Sequence, residues 1–271
     1  MSSGQVPTYY INLDHRQDRR EFMESQFAQL GITAQRVDAV HIADVPAELV
    51  AYHRGGGSLW RMNPGDLACG LSHQRTWASI AEGTAPWALV LEDDAILAPS
   101  ILDFLDHDAL ARLSAKLIKL ETTREQVLLG TRVDQVGAVM VRELCSSQMC
   151  SAAYIISRPL AKKLLADPGR DLTSIDRLLF GRGGSCLLRT PVLQAWPSPC
   201  IQLGHLDPTA SAGTSDLHGT RAKPARGSLT RLPGVMGLHL DHAARLLSLA
   251  FRDPGAAFGK RVAVPFADDS S

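Results

Sequence analysis

The chain lacks a surplus of charge of either sign: across 271 residues, 28 Lys and Arg stand against 28 Asp and Glu. That balance removes the usual case for a nucleic-acid partner, which requires a basic excess to neutralise phosphates. Long hydrophobic runs are also missing, and no apolar stretch approaches the roughly 18–20 residues that cross a bilayer. The opening, MSSGQVPTYYINL, carries neither a basic stretch nor an apolar core, so no signal peptide is expected. Cysteine is sparse and odd in number, and none of Cys69, Cys145, Cys150, Cys186 and Cys200 forms a CxxC pair. This pattern argues for reduced thiols in a cytoplasmic enzyme over a disulfide framework or a zinc site. With 45% hydrophobic and 21% charged residues the composition is that of a folded domain, long enough to bury a core without covalent staples.

Periodicity then supplies the elements. Thr8–Leu13 is rich in β-formers and reads as a strand, followed by a helix whose stripe is Phe22, Phe27 and Leu30 and whose stop is Gly31. A second strand over Ile32–Val40 completes a β-α-β opening, the unit of parallel sheets. The glycine run within His53–Ser58 reads as a surface excursion, since a phosphate cradle would need a helix directly after it. Asn63-Pro64-Gly65-Asp66 starts a helix to Gly83, and Trp87–Leu91 is a buried strand. Pro99 opens a helical stretch to about Ser114; Lys116–Glu121 and Gln126–Leu129 alternate like short strands. Ser151–Ser157 reads as a strand and Pro159–Ala166 as a helix closed by Asp167-Pro168-Gly169.

The most informative chemistry follows the buried strand: Glu92-Asp93-Asp94. Three adjacent carboxylates at a strand end repel one another and are costly to desolvate unless positive charge is present. A hard divalent cation, Mn²⁺ or Mg²⁺, suits oxygen ligands and keeps positions open for substrate phosphates. The carboxyl edge of a parallel sheet is where α/β proteins bind ligands. The competing reading is a solvated acidic turn.

Several segments together resemble glycosyltransferase family 25, the bacterial lipooligosaccharide and lipopolysaccharide glycosyltransferases. They are YYINLDHRQDRRE at the start, Gly70-Leu71-Ser72-His73 through Trp77, WALVLEDDAIL, Ile118–Glu121, SAAYIISRPLAKKLL, and Ser174-Ile175-Asp176. The resemblance runs from Thr8 to about Asp216. It implies an α/β fold of the GT-A-like, nucleotide-sugar-binding kind, with a mostly parallel central sheet flanked by helices. It also implies a DXD-like motif at Glu92–Asp94, a UDP-sugar donor, most often UDP-galactose, and a saccharide acceptor on a lipid-linked core. Here the motif begins with Glu, which lengthens one arm but keeps the carboxyl. Asp94 is the expected metal ligand, with Glu92 or Asp93 assisting or contacting the ribose.

Around that motif, Asn12, Leu13 and Asp14 would end the first strand beside the uracil and ribose, and Arg19 and Arg20 would reach base or phosphates. Arg16 is a substitute, and the alternative for both arginines is a solvated helix face. His73 takes a donor-site role by the resemblance, against an ordinary packing histidine; Ser72 and His73 are not a nucleophilic pair, because helix neighbours point apart. Asp176 is the best candidate for the general base of an inverting transfer, with Asp207 and Glu121 as competitors and a helix N-terminal acid as the alternative. His205 or His218 could complete the metal shell.

The expected organisation is a domain over 1–218 and a basic segment over 219–271, in which Leu240, Leu246, Leu247 and Phe251 have helical spacing. That segment could lie on the anionic cytoplasmic face of a membrane or pack on the domain. The resulting expectation is a metal-dependent, inverting hexosyltransferase. Its competitors are a non-catalytic saccharide- or protein-binding relative and a metal-dependent phosphohydrolase or nucleotidyltransferase.

Overall fold

The computed structural model describes residues 4–55, 62–167, 171, 173–181, 185–206, 243–244 and 247–270. The chain opens with β1 (Thr8–Asn12), α1 (Gln17–Leu30) and β2 (Ala34–Asp38), and β2 pairs parallel to β1. Gly31 ends α1 in the left-handed region at φ +67°, where glycine has no Cβ to clash. Next come α2 (Ala47–Arg54) and α3 (Pro64–Glu82). Asn63 caps α3 with Asp66 in a reciprocal box, as the Asn-Pro-Gly-Asp start predicts.

The strand β3 (Trp87–Glu92) lies parallel to β1 and leads into β4 (Ala95–Leu97). The helix expected from Pro99 to about Ser114 is instead a 3₁₀ turn over Pro99–Leu105 and a short α4 (His107–Ala111). Asp106 restarts the helix there by accepting from the Asp108 amide. The single strand expected over Lys116–Glu121 is split into β5 (Leu117–Lys119) and β6 (Glu121–Thr122), which belong to different sheets. After β7 (Gln126–Val127) a hairpin of β8 (Leu129–Val136) and β9 (Val139–Leu144) turns at Gly137. Then follow β10 (Ala153–Ser157), α5 (Arg158–Ala166), α6 (Ile175–Phe180), α7 (Ser185–Arg189), β11 (Val192–Trp196), β12 (Cys200–Gln202) and α8 (Leu203–Leu206).

The central sheet has eight strands in the order β2-β1-β3-β10-β5-β11-β9-β8. Six of them (β1, β2, β3, β5, β8, β11) run one way and β9 and β10 run against them, so the sheet is mostly parallel. Its central strands β1, β3 and β10 are buried along nearly their whole length because helices cover both faces there. Tyr10, Leu89, Leu91 and Ile155 pack with Met23 and Phe27 of α1. Tyr9, Ile11, Val90 and Ile156 pack with Trp77 and Ile80 of α3, Leu160 and Leu164 of α5, and Leu178 of α6. The alternation along each strand thus feeds two cores, and each fully buried Leu or Ile contributes about 1.5–3 kcal/mol. The result is the α/β fold with a mostly parallel sheet flanked by helices, consistent with a GT-A-like architecture.

Residues 207–242 lie outside the described residues, and with them Asp207, His218 and Leu240, as does Leu246. The C-terminal residues that are described lie against the domain. Leu249 packs with Leu128, Cys145 and Ala256, and β13 (Val262–Ala263) pairs antiparallel to β7. Thr122 Oγ1 donates to the Val264 carbonyl at 2.6 Å, and Arg252 forks onto Glu143 with two 2.8 Å bonds. Among the described residues no helix is long and apolar enough to cross a membrane.

Candidate active site

Parallel pairing of β1 with β2 and β3 brings their carboxyl ends together, with Ile11 in register with Glu92 and Asn12 with Asp38. A cleft of about 1130 Å³ opens there, a little above the roughly 300–1,000 Å³ typical of small-molecule sites. Its lining includes Leu13, Arg19, His73, the three acids Glu92–Asp94, Asp176 and His205. Asn12 lies beneath that lining and Arg20 outside it. Arg20 bonds Glu24 at 2.8 Å on the surface of α1, one turn away, which is the solvated-helix alternative.

The three acids have different surroundings. Asp93 is committed to the protein: Asn12 Nδ2 donates to its Oδ2 at 2.8 Å and Arg19 Nη1 to its Oδ1 at 2.7 Å. Glu92 accepts from His73 Nε2 (3.2 Å) and Ser151 Oγ (2.9 Å) on one oxygen and from Gln202 Nε2 (3.4 Å) on the other. Burial works to raise its pKa, but His73 and Ser151 outweigh burial and hold it below the usual carboxylate range. Asp94 is pushed the other way, up to about 6, by burial and by the charge of Glu92, with Arg19 only partly offsetting them. Arg19 Nη1 stands 3.8 Å from Asp94 Oδ2, and Gln202 Nε2 is 3.2 Å from Asp94 Oδ1.

His73 is fully buried, and its orientation is fixed from behind. Trp77 Nε1 lies 2.9 Å from Tyr154 Oη, and Tyr154 Oη lies 2.8 Å from His73 Nδ1. An indole N–H can only donate, so Tyr154 accepts from Trp77. Glu92 as a carboxylate can only accept, so His73 Nε2 carries a hydrogen. In the neutral ring this assigns Tyr154 as the donor to Nδ1.

These donors decide where a cation fits. Cys69, His73 and Glu92 offer ligand atoms within 4.8 Å of one another, but that set suits a soft metal poorly. The hydrogen on His73 Nε2 occupies the needed lone pair, and burial together with Glu92 and Asp176 pushes the Cys69 thiol well up. Glu92 and Asp94 fit a hard divalent ion better. Both line the cleft, both accept from the single Gln202 amide, and the repulsion that raises Asp94 is what a cation would remove. The donor set is oxygen-rich, and His205 Nε2 is 3.5 Å from Cys150 Sγ on the same wall.

Across the cleft, Asp176 sits in the first turn of α6, where Ser174 Oγ (2.5 Å) and the Arg177 amide (2.7 Å) both donate to Oδ1. Glu121 is wholly buried and is not among the cleft-lining residues, so it cannot reach an acceptor hydroxyl. Gln202 and Ser151 escaped the sequence reading. Gln202 is placed by antiparallel pairing of β12 with β4, in register with Ala95, a contact with no local signal.

Residues 5–176 match glycosyltransferase family 25 (LPS biosynthesis protein). The chain belongs to glycosyltransferase family 25. It is 24% identical to the lipooligosaccharide biosynthesis protein lic2B of Haemophilus influenzae over 79% of this chain and 83% of that protein. It is 33% identical to procollagen galactosyltransferase 1-B of Xenopus laevis over 63% of this chain, and 25% identical to human procollagen galactosyltransferase 2 over the same share. Those two animal proteins are longer, and the match spans 30% and 29% of their lengths. As a family 25 glycosyltransferase the chain acts with a sugar donor and a saccharide acceptor, and the matched region ends at Asp176 in the cleft wall.

Proposed function

We propose that this family 25 glycosyltransferase is a metal-dependent, inverting hexosyltransferase that moves galactose from UDP-galactose to a saccharide acceptor of a surface glycan such as lipooligosaccharide. The observation that carries the reading is the pairing of Glu92 and Asp94 across one Gln202 amide at the carboxyl edge of β3. The relatives named as galactosyltransferases and as a lipooligosaccharide biosynthesis protein support the donor sugar and the acceptor class.

In this reading Glu92 and Asp94 hold Mn²⁺ or Mg²⁺, which when bound neutralises the diphosphate as it leaves. Leu13 borders the nucleoside, Asn12 holds Asp93 from beneath, and Arg19, anchored on Asp93, presents its guanidinium toward the phosphates. The acceptor oxygen attacks the anomeric carbon from the face opposite the leaving UDP, and its proton passes to Asp176. The Ser174 and Arg177 donors fix the Asp176 carboxyl through Oδ1, which leaves Oδ2 for that proton. His73 acts indirectly, by orienting Glu92.

The reading extends to a cytoplasmic location with peripheral membrane contact. Phe251 (88% exposed), Phe258 (83%) and Leu247 (62%) face outward from the segment that Leu249 and Ala256 fasten to the domain. Changing both phenylalanines to Ser should lower flotation with anionic liposomes, and unchanged flotation removes this part.

Thermal-shift screening of a nucleotide-sugar panel with and without Mn²⁺ tests the reading as a whole. Selective stabilisation by UDP-galactose in the presence of Mn²⁺ is expected. Equal response to every donor, or preference for another nucleotide, contradicts it.

A further inference from the structure

Cys150 borders the cleft with its backbone at φ +73°, a left-handed conformation that a residue with a Cβ adopts at a cost. Such a conformation persists where the surroundings over-determine it, and here a buried ion pair does so. Lys119 Nζ, fully buried, donates to the Cys150 carbonyl at 2.5 Å, the Met149 carbonyl at 3.2 Å and Glu121 Oε1 at 2.7 Å. An ammonium has three hydrogens, and all three are thereby used. Glu121 Oε1 also accepts from the Ala152 amide at 2.9 Å. The pair therefore grips the backbone on both sides of Ser151, whose hydroxyl donates to Glu92 at 2.9 Å.

The same ammonium lies 4.3 Å from the ring centroid of Phe180, the last residue of α6. The Phe180 carbonyl accepts from the Gln148 amide at 3.2 Å, which ties α6 to the residues just before the turn. One buried cation thus joins the wall that carries Ser151 to the helix that carries Asp176. Neither Lys119 nor Glu121 lines the cleft, so neither touches substrate. A buried ion pair is a poor way to gain stability, because apolar residues of similar volume do as well. Stability alone therefore does not account for placing an ammonium here, whereas two convergent carbonyls and a left-handed Cys150 do.

We propose that Lys119, paired with Glu121, is a positioning residue for the transfer step: it clamps the 149–152 turn so that Ser151 reaches Glu92, and it braces α6 behind Asp176. This rests on the transferase reading given above. The nucleoside end of the cleft lies at β1 and β2, with β3 and β10 between β1 and the β5 that carries Lys119. The clamp therefore bears on turnover and on the ion held through Glu92 more than on UDP binding without the ion.

The test compares wild type with two variants, measuring Mn²⁺-dependent turnover of UDP-galactose, UDP affinity by calorimetry without Mn²⁺, and the thermal midpoint. Lys119→Met with Glu121→Gln removes both charges together and so avoids stranding one of them. Ser151→Ala leaves the ion pair intact and removes only its link to Glu92. In the folded double variant kcat should fall by about tenfold or more, the scale that small misplacements produce, with UDP affinity within about twofold of wild type. Ser151→Ala should show the same split more mildly, and it reports even if the double variant fails to fold. Wild-type kcat in either folded variant overturns the proposal, as does loss of metal-free UDP affinity in step with kcat. A wild-type protein that neither binds UDP nor turns over UDP-galactose would overturn the transferase reading itself.

Discussion

Arg19 reaches across 74 residues of sequence to place its Nη1 2.7 Å from Asp93 Oδ1, so of the three acids that line the cleft the middle one is taken up by the protein's own Arg19 and Asn12. The side chains of this pair are only 18% and 11% exposed. Arg19→Ala leaves Asp93 with Asn12 alone and should lower stability by about 1–3 kcal/mol. Arg20→Ala, which removes a solvent-facing pair with Glu24, should cost much less. Urea unfolding of both variants distinguishes them, and equal losses would contradict the difference in roles.

Tyr154 connects Trp77 to His73 inside the core. Tyr154→Phe keeps the ring but leaves the Trp77 indole hydrogen without its acceptor and His73 Nδ1 without its donor. A loss of about 1–3 kcal/mol is expected, together with a weaker hold on Glu92. A variant as stable as wild type in urea would show that the relay is not formed.

Asp176→Asn keeps the shape and the Oδ1 contacts of the side chain but cannot take a proton. The expected outcome is a fall in kcat of about 10²–10⁴-fold with UDP affinity unchanged, measured by steady-state kinetics and calorimetry. Loss of UDP affinity with kcat retained would move Asp176 from proton transfer to donor binding.

Glu121 titrates abnormally: burial raises it to about 7, with Lys119 only partly compensating. The folded protein therefore holds this proton more tightly than the unfolded chain. The stabilisation is full below the ordinary carboxylate value and is lost as pH rises through about 7. Between about pH 4.5 and 7 unfolding free energy should decline, with this group contributing up to about 1.4 kcal/mol per pH unit. The difference between wild type and Glu121→Gln isolates that slope, and parallel pH curves would contradict it.

What could be read in the sequence followed periodicity and local chemistry. The β-α-β opening, the capped α3, the buried strand ending in three acids and β10 with α5 all have patterns within a dozen or so residues. The β8–β9 hairpin and the split of β5 from β6 did not show, because strand partners are set by long-range pairing that leaves no local mark. The acids at 92–94 were legible as a cluster, yet their division of labour was not. Arg19 and Asn12 single out Asp93, while Gln202, from a strand more than 100 residues on, bridges the other two. His73 was legible as a residue of the site, but its action through Glu92 depends on Tyr154, which arrives on an antiparallel strand.

In the proposed function Glu92 and Asp94 hold a divalent ion that grips the donor diphosphate. Calorimetric titration of UDP, with and without Mn²⁺, into wild type and Asp94→Asn tests it directly. The account predicts that Mn²⁺ tightens UDP binding to wild type by about tenfold or more, about 1.4 kcal/mol, and leaves Asp94→Asn unchanged. Equal UDP affinity with and without the ion in wild type, or an undiminished Mn²⁺ effect in Asp94→Asn, would contradict it.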